Sequence, residues 1–162
     1  MTATELLELL QELHRDKLTM LRGRIAAARH VGHYDFNNAY QYVIAREDVH
    51  VGWLRDAILD MGGEPGDVAE PALRVEGRGD AAQAAVMRRD RDAAQAFVEK
   101  WRPRVEAMTH ARHRSMLRVI LGETLEHKRF LEQALAGRTD LLGRRADGAG
   151  TAGAVLPTRW VE

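Results

Sequence analysis

The sequence predicts an all-α protein that forms a four-helix bundle, and three observations lead to this prediction. The 162 residues favour helices in composition, with 45% hydrophobic residues, 6% aromatic residues and only 4 prolines. Apolar residues recur in four segments at the three- and four-residue spacing of one helix face. A long Gly- and Pro-rich segment separates the second helix from the third, as expected of a crossover connection that runs the length of an antiparallel bundle.

Composition and charge exclude several kinds of site and partner. The 24 basic and 24 acidic residues cancel, which argues against general binding to nucleic acid or to a membrane surface. Cysteine is absent, so neither a disulfide nor a thiolate metal site can form. No signal peptide or membrane-spanning run is recognisable, so we expect a cytoplasmic protein whose metal ligands, if any, are histidines and carboxylates.

The first helix is predicted from a capping box at Thr2-x-x-Glu5 to about Arg29. Its apolar stripe consists of Leu7, Leu10, Leu18, Leu21, Ile25 and Ala28, with His14 inside it. Residues 31–36 form a short turn in which Asp35 is expected to cap the second helix. A turn this short makes the first two helices antiparallel neighbours.

The second helix is predicted over about residues 37–61, and Gly62-Gly63 ends it. Its inward stripe is Tyr40, Val43, Glu47, His50, Leu54, Ala57 or Ile58, and Met61. The crossover follows, from Glu64-Pro65 to Gly79.

Two further helices complete the bundle. Asp80-x-x-Gln83 is expected to cap the third helix, and Pro103 either kinks this helix or begins a new one. The inward stripe of the third helix is Val86, Asp90, Ala94, Phe97, Trp101 and Val105. The chain turns near Thr109, and the fourth helix carries Met116, Ile120, Glu123, His127, Phe130 and Ala134 before Gly137 ends it.

This pattern divides the chain into a bundle, residues 1–137, and an extended C-terminal tail, residues 138–162. Residues 146–153 are a flexible Gly- and Ala-rich linker by composition. The tail ends in an apolar cluster formed by Val155, Leu156, Trp160 and Val161. We expect this cluster to dock on its own bundle, on a second copy or on another protein, and we expect the bundle to form a homodimer.

Each of the four stripes contains at least one ionisable residue, although burying a lone charge costs several kcal/mol. These residues are His14, Glu47, His50, Asp90, Glu123 and His127. A single inward histidine is more often a hydrogen-bonded core residue than a ligand. Their joint appearance near the middle of successive helices indicates a convergent site, and carboxylate and imidazole ligands suit iron, manganese or zinc.

Segments around these residues resemble the second-helix and fourth-helix motifs of the ferritin-like and rubrerythrin-like superfamily. They are 45–54 (AREDVHVGWL), with 61–65 (MGGEP) downstream, and 117–128 (LRVILGETLEHK). The resemblance, which covers about residues 3–136, implies a carboxylate-bridged di-iron site supporting iron oxidation or O2 or peroxide chemistry with an external electron donor. It implies that Glu47 and Glu123 are catalytic and bridge or chelate the metal. His50 and His127 would be terminal ligands, and His14 and Asp90 would complete the site.

Three departures from the family pattern leave an alternative open. The fourth helix carries Glu123-x-x-x-His127, with Thr124 three residues before the histidine. His14 stands where the first helix should supply a glutamate, and Asp90 is shorter than the glutamate of the third helix. The alternative is therefore a degenerate bundle without redox activity, a binding or structural module in which these residues form a closed hydrogen-bond and ion-pair network.

Overall fold

The computed structural model describes residues 1–143 as four helices. They are α1 (Ala3–Ala28), α2 (Tyr34–Asp60), α3 (Gly79–Glu106) and α4 (Ala111–Leu135). No strand occurs in this part of the chain, so the predicted all-α four-helix architecture is confirmed. None of these four helices contains a segment long and apolar enough to cross a membrane. The predicted linker and the apolar cluster at the end of the tail lie outside the described residues.

The helix starts agree with the sequence at α1 and differ at α2 and α3. The Thr2 hydroxyl accepts from the Glu5 N–H at 3.1 Å and the Glu5 carboxylate accepts from the Thr2 N–H at 2.6 Å, which confirms the capping box. Asp35 does not cap α2, because that helix begins at Tyr34 with His33 as its N-cap.

The expected cap at the start of α3 is also wrong, since the N-cap is Arg78 and Asp80 lies within the first turn. The Gln83 side chain is used elsewhere: its amide oxygen accepts from the His33 N–H at 3.0 Å. This hydrogen bond joins the start of α3 to the start of α2, which a pattern within one helix cannot reveal.

The neighbouring helices run antiparallel. Between α1 and α3, Glu12 pairs with Arg104 at 2.8 Å and Asp16 pairs with Lys100 at 2.6 Å. As the residue number increases along α1, the residue number of its partner on α3 therefore decreases. A turn of a few residues joins α1 to α2, and α2 and α4 also pair in opposite directions, as the contacts of the site show below.

The connection between α2 and α3, residues 61–78, contacts α1 at successive positions. The Glu64 carbonyl accepts from the Gln11 side chain at 3.0 Å, and Asp67 pairs with Arg22 at 2.8 Å. Glu70 then pairs with Arg29 at 2.9 Å. The connection therefore follows α1 from its first half to its C-cap, Arg29.

The buried side chains form two apolar clusters, one towards each end of the bundle. The first cluster includes Leu10, Leu13, Leu54, Trp101 and Leu117, and the second includes Ala27, Tyr40, Val86, Phe130 and Leu141. On every helix, the residues between the two clusters include buried polar side chains. Leu141, which the predicted boundary at residue 137 assigns to the tail, is buried in the second cluster.

Candidate functional site: a buried polar layer between the apolar clusters

The candidate site is a set of eight buried polar side chains between the two apolar clusters, which we call the polar layer; His14, also buried there, makes no bond to them. Its members are Lys17, Arg24, Glu47, His50, Asp90, Glu123, Thr124 and His127. None of them is more than 3% exposed. Because ionisable groups this deeply buried must be paired, their partners determine what the layer can do.

Glu47 is surrounded by three nitrogen-bearing side chains from two helices. Its carboxylate lies 2.8 Å from the Lys17 ammonium and 3.3 Å from Nε of Arg24, both on α1. The Nδ1 atom of His127, on α4, lies 3.2 Å from the same carboxylate. Burial acts to raise the pKa of Glu47, but Lys17, Arg24 and His127 together lower it well below its usual value. Glu47 is therefore ionised and held by fixed protein cations.

Glu123 is paired on both of its oxygens. Arg46 donates from Nε to Oε2 at 3.0 Å and from Nη2 to Oε1 at 2.7 Å, a two-bond geometry that is among the strongest in proteins. The Nε2 atom of His50 lies 2.6 Å from Oε2. Burial opposes ionisation of Glu123, but His50 and Arg46 lower its pKa to about 2.

Each histidine bonds to the glutamate of the other helix rather than to that of its own. Glu47 and His50 are close on α2, yet Glu47 meets His127 and His50 meets Glu123. Burial lowers the pKa of His127 to about 4, and burial likewise lowers the pKa of His50. Both rings are therefore neutral at pH 7, and each donates one N–H to a carboxylate. The two pairs tie α2 to α4.

Lys17 is fully buried at the centre of the layer. Its ammonium donates to the Thr124 hydroxyl at 2.9 Å and lies 5.0 Å from the centre of the Phe97 ring. The Thr124 hydroxyl in turn donates to the Ile120 carbonyl at 2.7 Å. Burial lowers the pKa of Lys17, while the contact with Glu47 acts to raise it. The lysine thus joins α1 to each of the other three helices.

Asp90 belongs to the layer but has a different partner. Its Oδ2 atom accepts from the Tyr40 hydroxyl at 2.8 Å, and its Oδ1 atom lies 3.7 Å from the Arg89 guanidinium. Burial raises the pKa of Asp90, and burial together with the neighbouring carboxylate raises the pKa of Tyr40. The hydroxyl therefore stays protonated and serves as a donor that stabilises the Asp90 carboxylate.

His14 is buried at 3% exposure but lies apart from these pairs. Its Nδ1 atom has no hydrogen-bond partner among residues 1–143. Burial lowers the pKa of His14, and the charge of Arg55 adds to this effect. The ring is therefore neutral.

All six residues singled out from the sequence are buried, but only four of them come together. Glu47, His50, Glu123 and His127 form the two pairs between α2 and α4. Asp90 bonds to Tyr40, and His14 does not join them. Lys17 and Arg24 lie outside the predicted inward stripe and are not among the predicted site residues, although Lys17, Leu21 and Arg24 follow the spacing of one helix face.

The polar layer as arranged does not fit the di-metal centre that the family resemblance implies. Lys17 and Arg24 bring two positive charges against Glu47, in the place where a carboxylate should face a divalent cation. Both oxygens of Glu123 are occupied by Arg46 and His50. Within residues 1–143 no group of three or more His, Asp and Glu side chains could hold a metal ion. The predicted iron, manganese or zinc site therefore stays a prediction.

No protein-family model, no curated protein and no solved structure matches the chain.

Proposed function

We propose that the chain is a ferritin-like bundle in which protein cations, rather than a metal, neutralise the central carboxylates. It then works as a non-redox structural or binding module. The order of the helices supports this proposal, as does the connection that follows α1 from Gln11 to Arg29 in the manner of a crossover. The buried carboxylates and histidines lie midway along the helices, where ferritin-like bundles have their ligands.

The observation that carries the proposal is the position of Lys17. In di-metal bundles two helices each supply a glutamate, and the other two each supply Glu-x-x-His. Here α2 has the full Glu47-x-x-His50 pair, whereas α4 has Thr124 three residues before His127. The Lys17 ammonium lies against both Glu47 and Thr124. One carboxylate is thus missing from α4, one is missing from α1, and a cation from α1 takes the place of both.

Electrostatics favours this arrangement over metal binding. A divalent ion bound to Glu47 would lie within a few ångströms of two buried cations, and like charges repel strongly where water is excluded. Moving Lys17 or Arg24 away would leave a charge buried without its partner, which costs about 3–5 kcal/mol. A metal would therefore have to offset this cost before any net binding appeared.

A second candidate, a metal-binding redox protein, is favoured by one observation. The rings of His50 and His127 stack with centroids 6.3 Å apart, and the lowered pKa of each keeps it in the neutral form that binds metals. Together with Glu47 and Glu123 they offer two carboxylates and two imidazoles. This candidate requires Lys17 and Arg24 to leave Glu47.

Metal analysis distinguishes the two candidates. We expect protein purified without chelator to contain far less than one transition metal per chain, and anaerobic titration with Fe(II) or Mn(II) to give no binding heat. The matched control is Glu47→Gln/Glu123→Gln, because any binding that survives in this variant lies elsewhere, for instance at the surface pair His110 and His113. One or two ions per chain that this variant loses would overturn the proposal in favour of the metal-binding protein.

The missing carboxylates provide a second test. We expect Lys17→Glu/Thr124→Glu to bind Mn(II) or Zn(II) and to gain thermal stability from it, because the variant replaces the cation with the glutamates of a di-metal bundle. The single variant Lys17→Met is the control, since it removes the cation without adding a ligand. Equal metal affinity in the double variant and the control would show that Lys17 and Thr124 do not occupy ligand positions.

A further inference from the structure

The second apolar cluster encloses a small cavity next to the polar layer. Ten side chains line this cavity, and each of them is at most 9% exposed, so the cavity lies inside the bundle. Its volume is about 10 Å³, which is about the smallest space that holds one water molecule. Two of the lining side chains, those of Arg24 and Tyr40, carry polar groups, and the others are apolar.

Arg24 brings an unsatisfied hydrogen-bond donor to the cavity. The residue is 2% exposed, and its Nη2 atom is buried without a hydrogen-bond partner in the described part of the chain. Its Nε atom lies 3.3 Å from the Glu47 carboxylate, which holds the guanidinium on that side. A buried N–H group that bonds to nothing destabilises a protein, so an acceptor within reach of Nη2 would stabilise the fold.

Tyr40 brings a hydrogen-bond acceptor to the same cavity. Its hydroxyl donates to Oδ2 of Asp90 at 2.8 Å, and a phenol oxygen that donates its hydrogen can still accept a bond. No hydrogen bond joins Tyr40 to Arg24 in the structure of residues 1–143. A donor from α1 and an acceptor from α2 therefore border one small space without bonding to each other.

We propose that one water molecule occupies this cavity, accepts a hydrogen bond from Nη2 of Arg24 and donates one to the hydroxyl oxygen of Tyr40. Cavities that stay empty are lined by apolar groups alone, whereas buried waters bond to polar groups that lack a protein partner. Two bonds to the protein lie within the range usual for a buried water.

Charge and volume exclude other kinds of occupant. An anion would be repelled by Glu47, which is ionised beside Arg24, and by the Asp90 carboxylate, which bonds to Tyr40. A cation would be repelled by the guanidinium itself. An organic ligand needs a pocket of roughly 300 Å³ or more, far larger than this cavity. The occupant is therefore neutral and about the size of water.

The water connects two parts of the polar layer that the protein contacts leave separate. Glu47 is ion-paired to Arg24, and Tyr40 is hydrogen-bonded to Asp90. With the water between Arg24 and Tyr40, these contacts form one continuous polar network across α1, α2 and α3. Neither Arg24 nor Tyr40 is a candidate metal ligand, so a test of the water site is independent of the metal analysis.

A high-resolution crystal structure of the unmodified protein tests the proposal directly. We expect one peak of water density between Nη2 of Arg24 and the Tyr40 hydroxyl, at hydrogen-bond distance, about 3 Å, from both. A second crystal soaked in bromide distinguishes water from an anion, because bromide scatters X-rays anomalously. An empty cavity would overturn the proposal, and so would an anomalous bromide peak inside it.

Magnetic relaxation dispersion of water nuclei provides a test in solution, because it counts buried waters that exchange slowly with the solvent. We expect Tyr40→Phe to lose one such water, since the phenylalanine ring offers no acceptor. The matched control is Tyr42→Phe, which removes a hydroxyl from the same helix at a residue that does not line the cavity. An unchanged count in Tyr40→Phe would contradict the proposal, as would an equal loss in both variants.

Discussion

Lys17 illustrates how one buried side chain can balance the charge of a buried carboxylate. A fully buried ammonium is costly, and three contacts offset that cost: Glu47 at 2.8 Å, Thr124 at 2.9 Å and the face of Phe97 at 5.0 Å. The same contacts occupy the space and the charge that a metal ion would need. In the function that we propose, Lys17 and Arg24 together therefore compensate the charge of Glu47 in place of a metal.

Removing this cation should destabilise the bundle strongly. We expect Lys17→Met to lower the free energy of unfolding by about 3–5 kcal/mol, because it leaves Glu47 buried with one of its cations missing. Lys100→Met is the control: Lys100 is half exposed and pairs with Glu12 and Asp16 at the surface, so we expect a loss of less than about 1 kcal/mol. Chemical denaturation measures both. Similar losses in the two variants would show that Glu47 does not depend on Lys17.

The sequence could predict the glutamates and histidines of the site but not its buried lysine and arginine. Glu47, His50, Glu123 and His127 attract attention because carboxylates and imidazoles are rare on apolar stripes. Lys17 and Arg24 do not, because long basic side chains usually reach water from almost any helix position. Whether such a side chain turns inward depends on an unpaired carboxylate on another helix, and that is information about tertiary structure.

The helices themselves follow from local signals, with errors at their starts. The sequence correctly predicts the capping box at Thr2 and the glycines after α2 and α4, since each of these signals acts within a few residues of chain. The predicted starts of α2 and α3 are wrong, because the N-caps are His33 and Arg78, neither of which makes a side-chain cap bond, and the Gln83 side chain accepts from the His33 N–H of the other helix. Sequence patterns predict a helix end well when the cap is local and poorly when it is shared.

Two glycines, one within α2 and one just after it, allow a matched test of how local backbone conformation sets the end of this helix. Gly52 lies within the helix, and a Cβ added there meets no atom within 4 Å, so we expect Gly52→Ala to stabilise the protein by about 0.5–1 kcal/mol. Gly62 follows the helix at φ 76°, where a side chain is strained. We therefore expect Gly62→Ala to destabilise it by about 1 kcal/mol. Thermal unfolding of the two variants measures the difference, and shifts of the same sign would contradict this account.

At the scale of the whole molecule, the polar layer divides the core into two apolar clusters. Every helix passes from one cluster through the layer to the other, so all four contribute to both kinds of packing. Apolar burial stabilises the folded bundle but does not specify which side chains meet. The ion pairs and hydrogen bonds of the layer form only when the helices are in the correct register. This division explains why the four-helix architecture could be predicted from apolar periodicity while the partners within the layer could not.

The buried histidines also give the molecule an expected pH dependence. His127 is held neutral by burial and by the charges of Lys17 and Arg24 on α1, against the attraction of Glu47 on α2, and its pKa is lowered from 6.5 to about 4. The unfolded chain therefore binds a proton at a higher pH than the folded chain does. The resulting stability is fully present above pH 6.5 and is lost as the pH falls through 4. The shift corresponds to about 3 kcal/mol for this residue.

We therefore expect the free energy of unfolding to decrease steadily from pH 7 to pH 4, with further loss below pH 4 as Glu123, whose pKa is lowered to about 2, becomes protonated. His127→Gln keeps a donor for Glu47 but cannot titrate, so its stability should change less between pH 6.5 and 4 than that of the original protein. Denaturant unfolding at a series of pH values measures both curves. Parallel curves over this interval would mean that His127 is not the buried neutral donor that links α4 to Glu47. Stability that rises towards pH 4 would mean that folding raises, rather than lowers, the pKa of the buried groups.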